Sequence, residues 1–142
     1  MALSPTHDLV VRAMAAVTAK DLDTSLALFT EDAVFFDPHY PVQKMVGKAA
    51  IKDGLIWGFG GMEKFQFDID HYFESEDGKS ASIETSCHHV LKGGRSLDFP
   101  QVFVIETRDG LVSRMQAYEP YGPGGIVGVF LGVQRLIHGR KR

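Results

Sequence analysis

A chain of 142 residues, 44% of them hydrophobic, with a formal net charge of -3, is long enough to bury a core and is expected to form one domain over residues 1–142. The charge excludes the strongly basic face that nucleic acid requires, leaving only a small cluster at the end, Arg135, Arg140, Lys141 and Arg142. The single cysteine, Cys87, excludes an internal disulfide. With no charged-then-apolar leader and no run of about 18 apolar residues, a cytoplasmic location without a transmembrane segment is expected.

Taken in order, the first third reads as helix. Ser4 can cap, Pro5 suits the first helical position, and Leu9, Val10, Ala13, Met14 and Val17 follow at helical spacing. Asp21 is a second candidate cap, with Leu22, Leu26 and Phe29 on one face. A short strand is expected over residues 33–37. The stretch GKAAIKDGLIWGF reads as a third helix or helical turn whose end Gly54 and Gly58 weaken.

The second half changes period. Phe65, Phe67, Ile69, His71 and Phe73 alternate with polar residues, which predicts a strand with one dry and one wet face. Three more strands follow, SASIETSCHHVL, SLDFPQVFVIE and LVSRMQAYEPY, joined by Gly-containing turns into an antiparallel meander. Pro100 marks a bulge or an edge. Helices first and strands later predict an α+β fold, with helices on one face of a curved sheet.

Two helices, a DP…VG stretch, a third helix and a long meander ending in RDGLVSRM together resemble the nuclear transport factor 2-like superfamily. Within it the chain is most similar to the SnoaL-like branch around polyketide cyclases and limonene epoxide hydrolases, over about residues 10–121. The resemblance implies a cone: a bent antiparallel sheet wrapped around a pocket and closed by the N-terminal helices. The epoxide hydrolases carry a tyrosine and an asparagine two apart, ending in a proline before a helix-opening glycine. Asp37, His39, Pro41 and Gly47 match that spacing with other residue types, so the resemblance turns Asp37 and His39 inward. The hydrolases' Arg-x-Asp pair corresponds to the region of Glu84 and Ser86, and their last acid to Ala117 or its neighbour, so epoxide hydrolysis is not expected. Polyketide cyclases of this fold use an inward acid and a meander histidine, for which Asp98 and His88 are the candidates. No match to the tyrosine and acid set of ketosteroid isomerases is present.

Asp37 and His39 sit two apart on an extended chain and so point the same way. They form either a carboxylate–imidazole pair tuned by a dry pocket or a polar turn built on Asp-Pro. His88 and His89 must face opposite sides of their strand. The hydrolase-like pairing turns Glu84, Ser86 and His88 inward, whereas the apolar character of Ile83, Thr85, Cys87, His89 and Leu91 argues for the other set. Glu119 shares a face with Met115, Ala117 and Tyr121 and is a candidate acid or a solvated strand end. Phe99, Gln101 and Phe103 would make an apolar wall with one amide to orient a ligand; Trp57 and Phe59 are either a lid or core.

A metal set of Asp37, His39 and His88 has no supporting spacing, and no nucleotide fingerprint or nucleophile elbow is present, so neither metal nor cofactor is expected. The expected function is a small cofactor-independent enzyme. It would act by proton transfer (isomerisation, cyclisation, dehydration or hydrolysis) on an apolar small molecule, with Asp37 as base, His39 as relay, and His88 or Glu119 completing the set. The alternatives are ligand binding without turnover and a dimerisation module; a homodimer is expected. The apolar segment GGIVGVFLGVQRLIHGRKR predicts a helix that covers the open end of the cone, joins a dimer interface, packs into the core or lies on a membrane surface.

Overall fold

The structure, a computed structural model, describes residues 2–119 and 124–139. Helix α1, Pro5–Thr18, opens on the expected cap: the Ser4 hydroxyl accepts the His7 N–H at 3.1 Å, and Pro5 occupies the position whose N–H would be idle. Its buried face is Leu9, Val10, Ala13 and Met14. Asp21 caps α2, Leu22–Ala27, by accepting the Thr24 N–H at 3.0 Å. That helix ends at Ala27, two residues before Phe29 could join it. Phe29 instead begins β1, Phe29–Phe36, a longer strand than its last apolar residues predict.

A short strand, β2, Lys44–Val46, pairs antiparallel with β1. Gly47 then turns into α3, Lys48–Gly61, with a φ of 85° that a side chain would make costly. The expected weakening at Gly54 and Gly58 does not occur. One turn apart, these glycines open a flat strip into which Met45 and Tyr40 pack; a Cβ at Gly58 would stand 3.0 Å from the Tyr40 hydroxyl. What glycine costs the helix in conformational entropy is offset by this close approach.

The remaining strands are β3, Met62–Lys64; β4, Phe67–Glu74; β5, Ser80–Leu91; β6, Ser96–Arg108; and β7, Leu111–Tyr118. The sheet runs β2-β1-β7-β6-β5-β3, with β4 also on β5. Every pairing is antiparallel except β1 with β7. This curved, unclosed seven-stranded sheet with helices is the expected α+β fold. Its core gathers Ile51 and Leu55 of α3, Ile83 of β5, Ile105 of β6 and the inward face of α1. Each fully buried Leu or Ile contributes roughly 2 kcal/mol.

Two strand readings are corrected. The single dry face expected from Phe65 to Phe73 breaks at a register shift between Ile69 and His71. Beyond that bulge the phase flips: Tyr72 turns in and stacks on His7 at 3.8 Å, while His71 and Phe73 face solvent. On β5 the apolar set prevails. Ile83, Thr85, Cys87 and His89 are buried, and Glu84 and His88 are exposed. The inward placement of His88 therefore fails, because burying the more polar set would have stranded charge in the core. Pro100 lies before β6–β7 pairing begins at Val102, so it costs no ladder bond to β7, as the edge reading requires.

The last segment is helical as predicted, forming α4, Gly125–Gly139. None of its residues is buried, so neither the chain's core nor the open end of its cone covers it. Tyr121, grouped above with Glu119, lies outside the described residues.

Candidate functional site

Strand β1 delivers Asp37 to the inner face and the chain then turns at Pro38. The backbone N–H of His39 donates to Asp37 Oδ1 at 2.9 Å, closing an Asx turn. The Asp37 N–H donates to Gln43 O at 3.0 Å, and the Tyr40 N–H to Asp37 O at 3.2 Å. The pocket and the polar turn are thus one structure: the bonds that lock the turn fix the carboxylate, which is 8% exposed, against the cavity.

Glu119 enters from the end of β7, with a side chain only 1% exposed. His39 Nδ1 contacts Glu119 Oε1 directly and lies 3.3 Å from Asp37 Oδ1. Gln101 of β6 closes the cluster: its Nε2 donates to Glu119 Oε1 at 2.9 Å and to Asp37 Oδ2 at 3.5 Å, while its Oε1 accepts from Cys87 Sγ at 3.6 Å. The hydrogen bond to Asp37, followed by the negative charges of Glu119 and Asp37, raises the His39 pKa above its ordinary value against the opposing effect of burial. The two acidic neighbours thus favour the protonated form of His39. One His nitrogen and two carboxylates, all within 4.8 Å of one another, are also close enough to hold one cation. In this geometry the protonated form of His39 would supply that positive charge. The metal set that includes His88 is overturned, since His88 is on the other side of the sheet.

Asp37, His39 and Gln101 of this cluster line a cavity of about 400 Å³ whose walls are otherwise almost wholly apolar. Phe99, Gln101, Phe103 and Met115 line it from the meander, and Trp57 from α3, 55% exposed at the mouth. Tyr40 packs on Trp57 with ring centroids 5.7 Å apart; burial, then the Asp37 charge, raises its phenol pKa so that it stays neutral. Burial likewise lifts the Cys87 thiol to about 11, so it is no nucleophile.

His88 is exposed on the outer face. Its Nδ1 lies 2.7 Å from Asp98 and its Nε2 3.6 Å from Asp68. The Asp98–His88 pair therefore exists but stands outside the cavity and takes no part in this site. The histidine inside is His89, which sequence reasoning passes over in favour of its neighbour, although the apolar character of its strand face pointed to it. His89 is 4% exposed and boxed by Phe65, Phe67 and Phe99 at 4.7–5.5 Å. Its Nδ1 accepts the Gln66 backbone N–H at 3.2 Å. A neutral imidazole whose Nδ1 accepts carries its proton on Nε2. Burial first, then the charge of the nearby His39, pushes the His89 pKa down to about 4, so His89 lines the cavity as a neutral imidazole with its proton on Nε2 at ordinary pH.

The linkage has a definite sign. Between pH 6.5 and about 4 the unfolded chain takes up a proton at His89 that the folded chain refuses, so this group costs stability as pH falls through that window. At about pH 5 the cost is about 2 kcal/mol. His89→Gln, which can still accept from Gln66, should remove it. Urea unfolding at two pH values reads the difference, and equal acid sensitivity in both proteins would contradict the buried neutral histidine.

The comparisons with known proteins agree with the fold. The chain is 31% identical over 109 residues to the uncharacterized protein YesE of Bacillus subtilis (strain 168), covering 74% of each. It superposes on a putative polyketide cyclase from Pseudomonas putida KT2440 with a TM-score of 0.71, 22% identity and coverage of 85% and 93% of the two chains. It superposes on RV0760c from Mycobacterium tuberculosis, in complex with estradiol-17β-hemisuccinate, with a TM-score of 0.73, 20% identity and coverage of 82% and 94%. The model of the SnoaL-like domain matches residues 10–115, most of the sheet and three of the four described helices, and the chain belongs to that family within the nuclear transport factor 2-like superfamily.

Proposed function

We propose that this protein is a cofactor-independent acid–base catalyst that moves a proton on an apolar small molecule bound in the cone. One observation carries the reading: His39 and Gln101 each contact both Asp37 and Glu119, and Asp37, His39 and Gln101 line a cavity that is otherwise greasy. Burying two carboxylates costs several kcal/mol of desolvation and adds little to stability that apolar packing would not. Strongly perturbed charged clusters in clefts are where acid–base chemistry is found.

The substrate class follows from the lining. A mostly aromatic and aliphatic wall suits a flat hydrocarbon frame, and the polar groups suit one carbonyl on it. Asp37 would take a proton from the carbon next to the carbonyl: the C–H bond breaks, its electron pair moves into the enolate, and the carboxylate becomes a carboxylic acid. The neutral Nε2–H of His89 would bond the developing oxyanion. Asp37 then returns its proton to the same or another carbon, which gives exchange or isomerisation. His39, in contact with both, would hold the two acidic side chains in place. The name of the Pseudomonas neighbour and the steroid ester in the Mycobacterium complex are in keeping with such ligands.

Binding without turnover is the second reading, favoured by how small the polar share of the wall is. The two part on deuterium uptake from D2O into the α-positions of 1-tetralone and progesterone, read by mass spectrometry. Saturable uptake above the buffer rate supports catalysis. Saturable binding without uptake replaces it with the second reading, and neither binding nor uptake rejects the pocket as a site for this class.

A further inference from the structure

The pocket makes no use of α4, although this helix has the most exposed apolar surface in the described chain. Ile126, Val129, Phe130, Val133 and Ile137 recur at helical spacing along one face and are 89%, 70%, 60%, 48% and 47% exposed. Leu136 beside them is 67% exposed. The rest of the circumference carries Gly128, Gly132, Gln134, Arg135, His138 and Gly139, with Val127 and Leu131 among them. An apolar face this continuous does not remain in water by default.

Charge says what covers it. After Glu119 the sequence contains no Asp or Glu, yet it holds Arg135, Arg140, Lys141 and Arg142, four of the chain's 15 cations; the rest of the chain sets 11 cations against all 18 acids. Apolar face and cations thus belong to the same segment, and the body before it is acidic. Helix α4 has 15 residues, about 22 Å of length, well short of the roughly 30 Å hydrocarbon core of a bilayer. No helix among the described residues is long and apolar enough to cross a membrane. A helix of this length with an apolar face and a basic end lies in the plane of an anionic interface.

We propose that α4 is a peripheral membrane anchor, seating its apolar face among the acyl chains of an anionic bilayer while Arg135 and the cations that follow the helix in sequence meet the lipid headgroups. A second copy of α4 would cover the apolar face, but in either direction it brings no acid to the four cations. The anionic interface satisfies both at once. The anchor begins six residues after Glu119, and that connection spans at most about 20 Å. It therefore tethers the pocket close to the bilayer, where apolar molecules dissolve. That consequence for ligand supply rests on the reading of the pocket above; the anchoring itself does not.

The test is flotation of the full chain with vesicles of phosphatidylcholine alone or with about 30% phosphatidylglycerol, alongside its mass in solution without lipid. Co-flotation at least about tenfold stronger with the anionic vesicles is expected, and high salt should weaken it. Phe130→Asp, at an exposed position, should abolish flotation with an unchanged far-ultraviolet spectrum. The triple change Arg140→Gln, Lys141→Gln and Arg142→Gln should remove the anionic preference. Absence of flotation overturns the proposal, as does flotation that Phe130→Asp leaves intact. A stable dimer that does not float and that Phe130→Asp dissociates also overturns it and assigns the face to a second copy. Deuterium uptake by a soluble ketone does not need the vesicle, so the anchor and the catalytic reading fail separately.

Discussion

Asp37→Asn should lower deuterium uptake into a bound ketone by about 10²–10⁴-fold, the range lost when a positioned general base is removed. Asparagine keeps the shape of the side chain, and its amide oxygen can still accept the His39 backbone N–H that closes the turn. The cavity and its ligand affinity should therefore persist while the rate collapses. Titration of the same ketone into both proteins separates the effects: a dissociation constant within about threefold of wild type with the rate gone places Asp37 at the reacting atoms. A rate that survives would move the base to Glu119, the other carboxylate against His39. His89→Leu is the companion measurement, since it removes the neutral Nε2–H donor altogether; removing one donor to a developing oxyanion costs about 10²–10³-fold.

The second large effect is on stability. His39→Leu should destabilise the fold by about 3 kcal/mol, the lower end of what removing one partner from a buried ion pair costs, because the imidazole is itself 40% exposed. Two carboxylates would then face each other across the space the cation filled. The cost depends on pH in a direction the geometry sets. The folded-state pKa of His39 is raised above 6.5, so the stability it contributes is complete below 6.5 and is lost as pH rises through the raised value. In urea unfolding, wild type and variant should differ most just below pH 6.5, and the difference should shrink as pH rises through the raised value. A difference that does not shrink on the alkaline side would show that the imidazole acts by packing and not by charge.

Much of the fold was legible because it is written in local chemistry. Ser4 and Asp21 cap where they should, since a cap needs one side-chain oxygen and nothing distant. The meander was legible from period and turns. Non-local events were not: the bulge that flips His71 and Phe73 outward is a property of pairing with β5, and the early start of β1 at Phe29 reflects its partner Val112. At the site, Asp37 could be read as pocket or turn, and its Asx bond makes it both. The choice between His88 and His89 went wrong where a family spacing was weighed against the apolar character of the strand. The burial of Ile83 and Cys87 on the His89 side shows that local hydrophobicity was the better guide. Gly54 and Gly58 were read as weakening the helix end because their purpose, the close approach of Tyr40 and Met45, lies across the chain.

The parallel pairing of β1 with β7 bears on when the site comes into being. Asp37 follows a strand near the start of the chain, and its hydrogen-bond partner Gln101 is 64 residues further on. Glu119 follows the last strand of the sheet. Closing so long a loop costs entropy that only the completed ladder repays, and contacts of this sequence separation form late and slowly. A nascent chain can fold α1 and extend β5 and β6 while still emerging from the ribosome, but the two carboxylates cannot meet until β7 has emerged and aligned beside β1. The polar cluster is then the last part of the fold to assemble and, by the same pairing, the first to open when β7 detaches. Amide exchange at Met115 and Gln116, which lie opposite Phe35 and Phe36, would report the opening of the site directly.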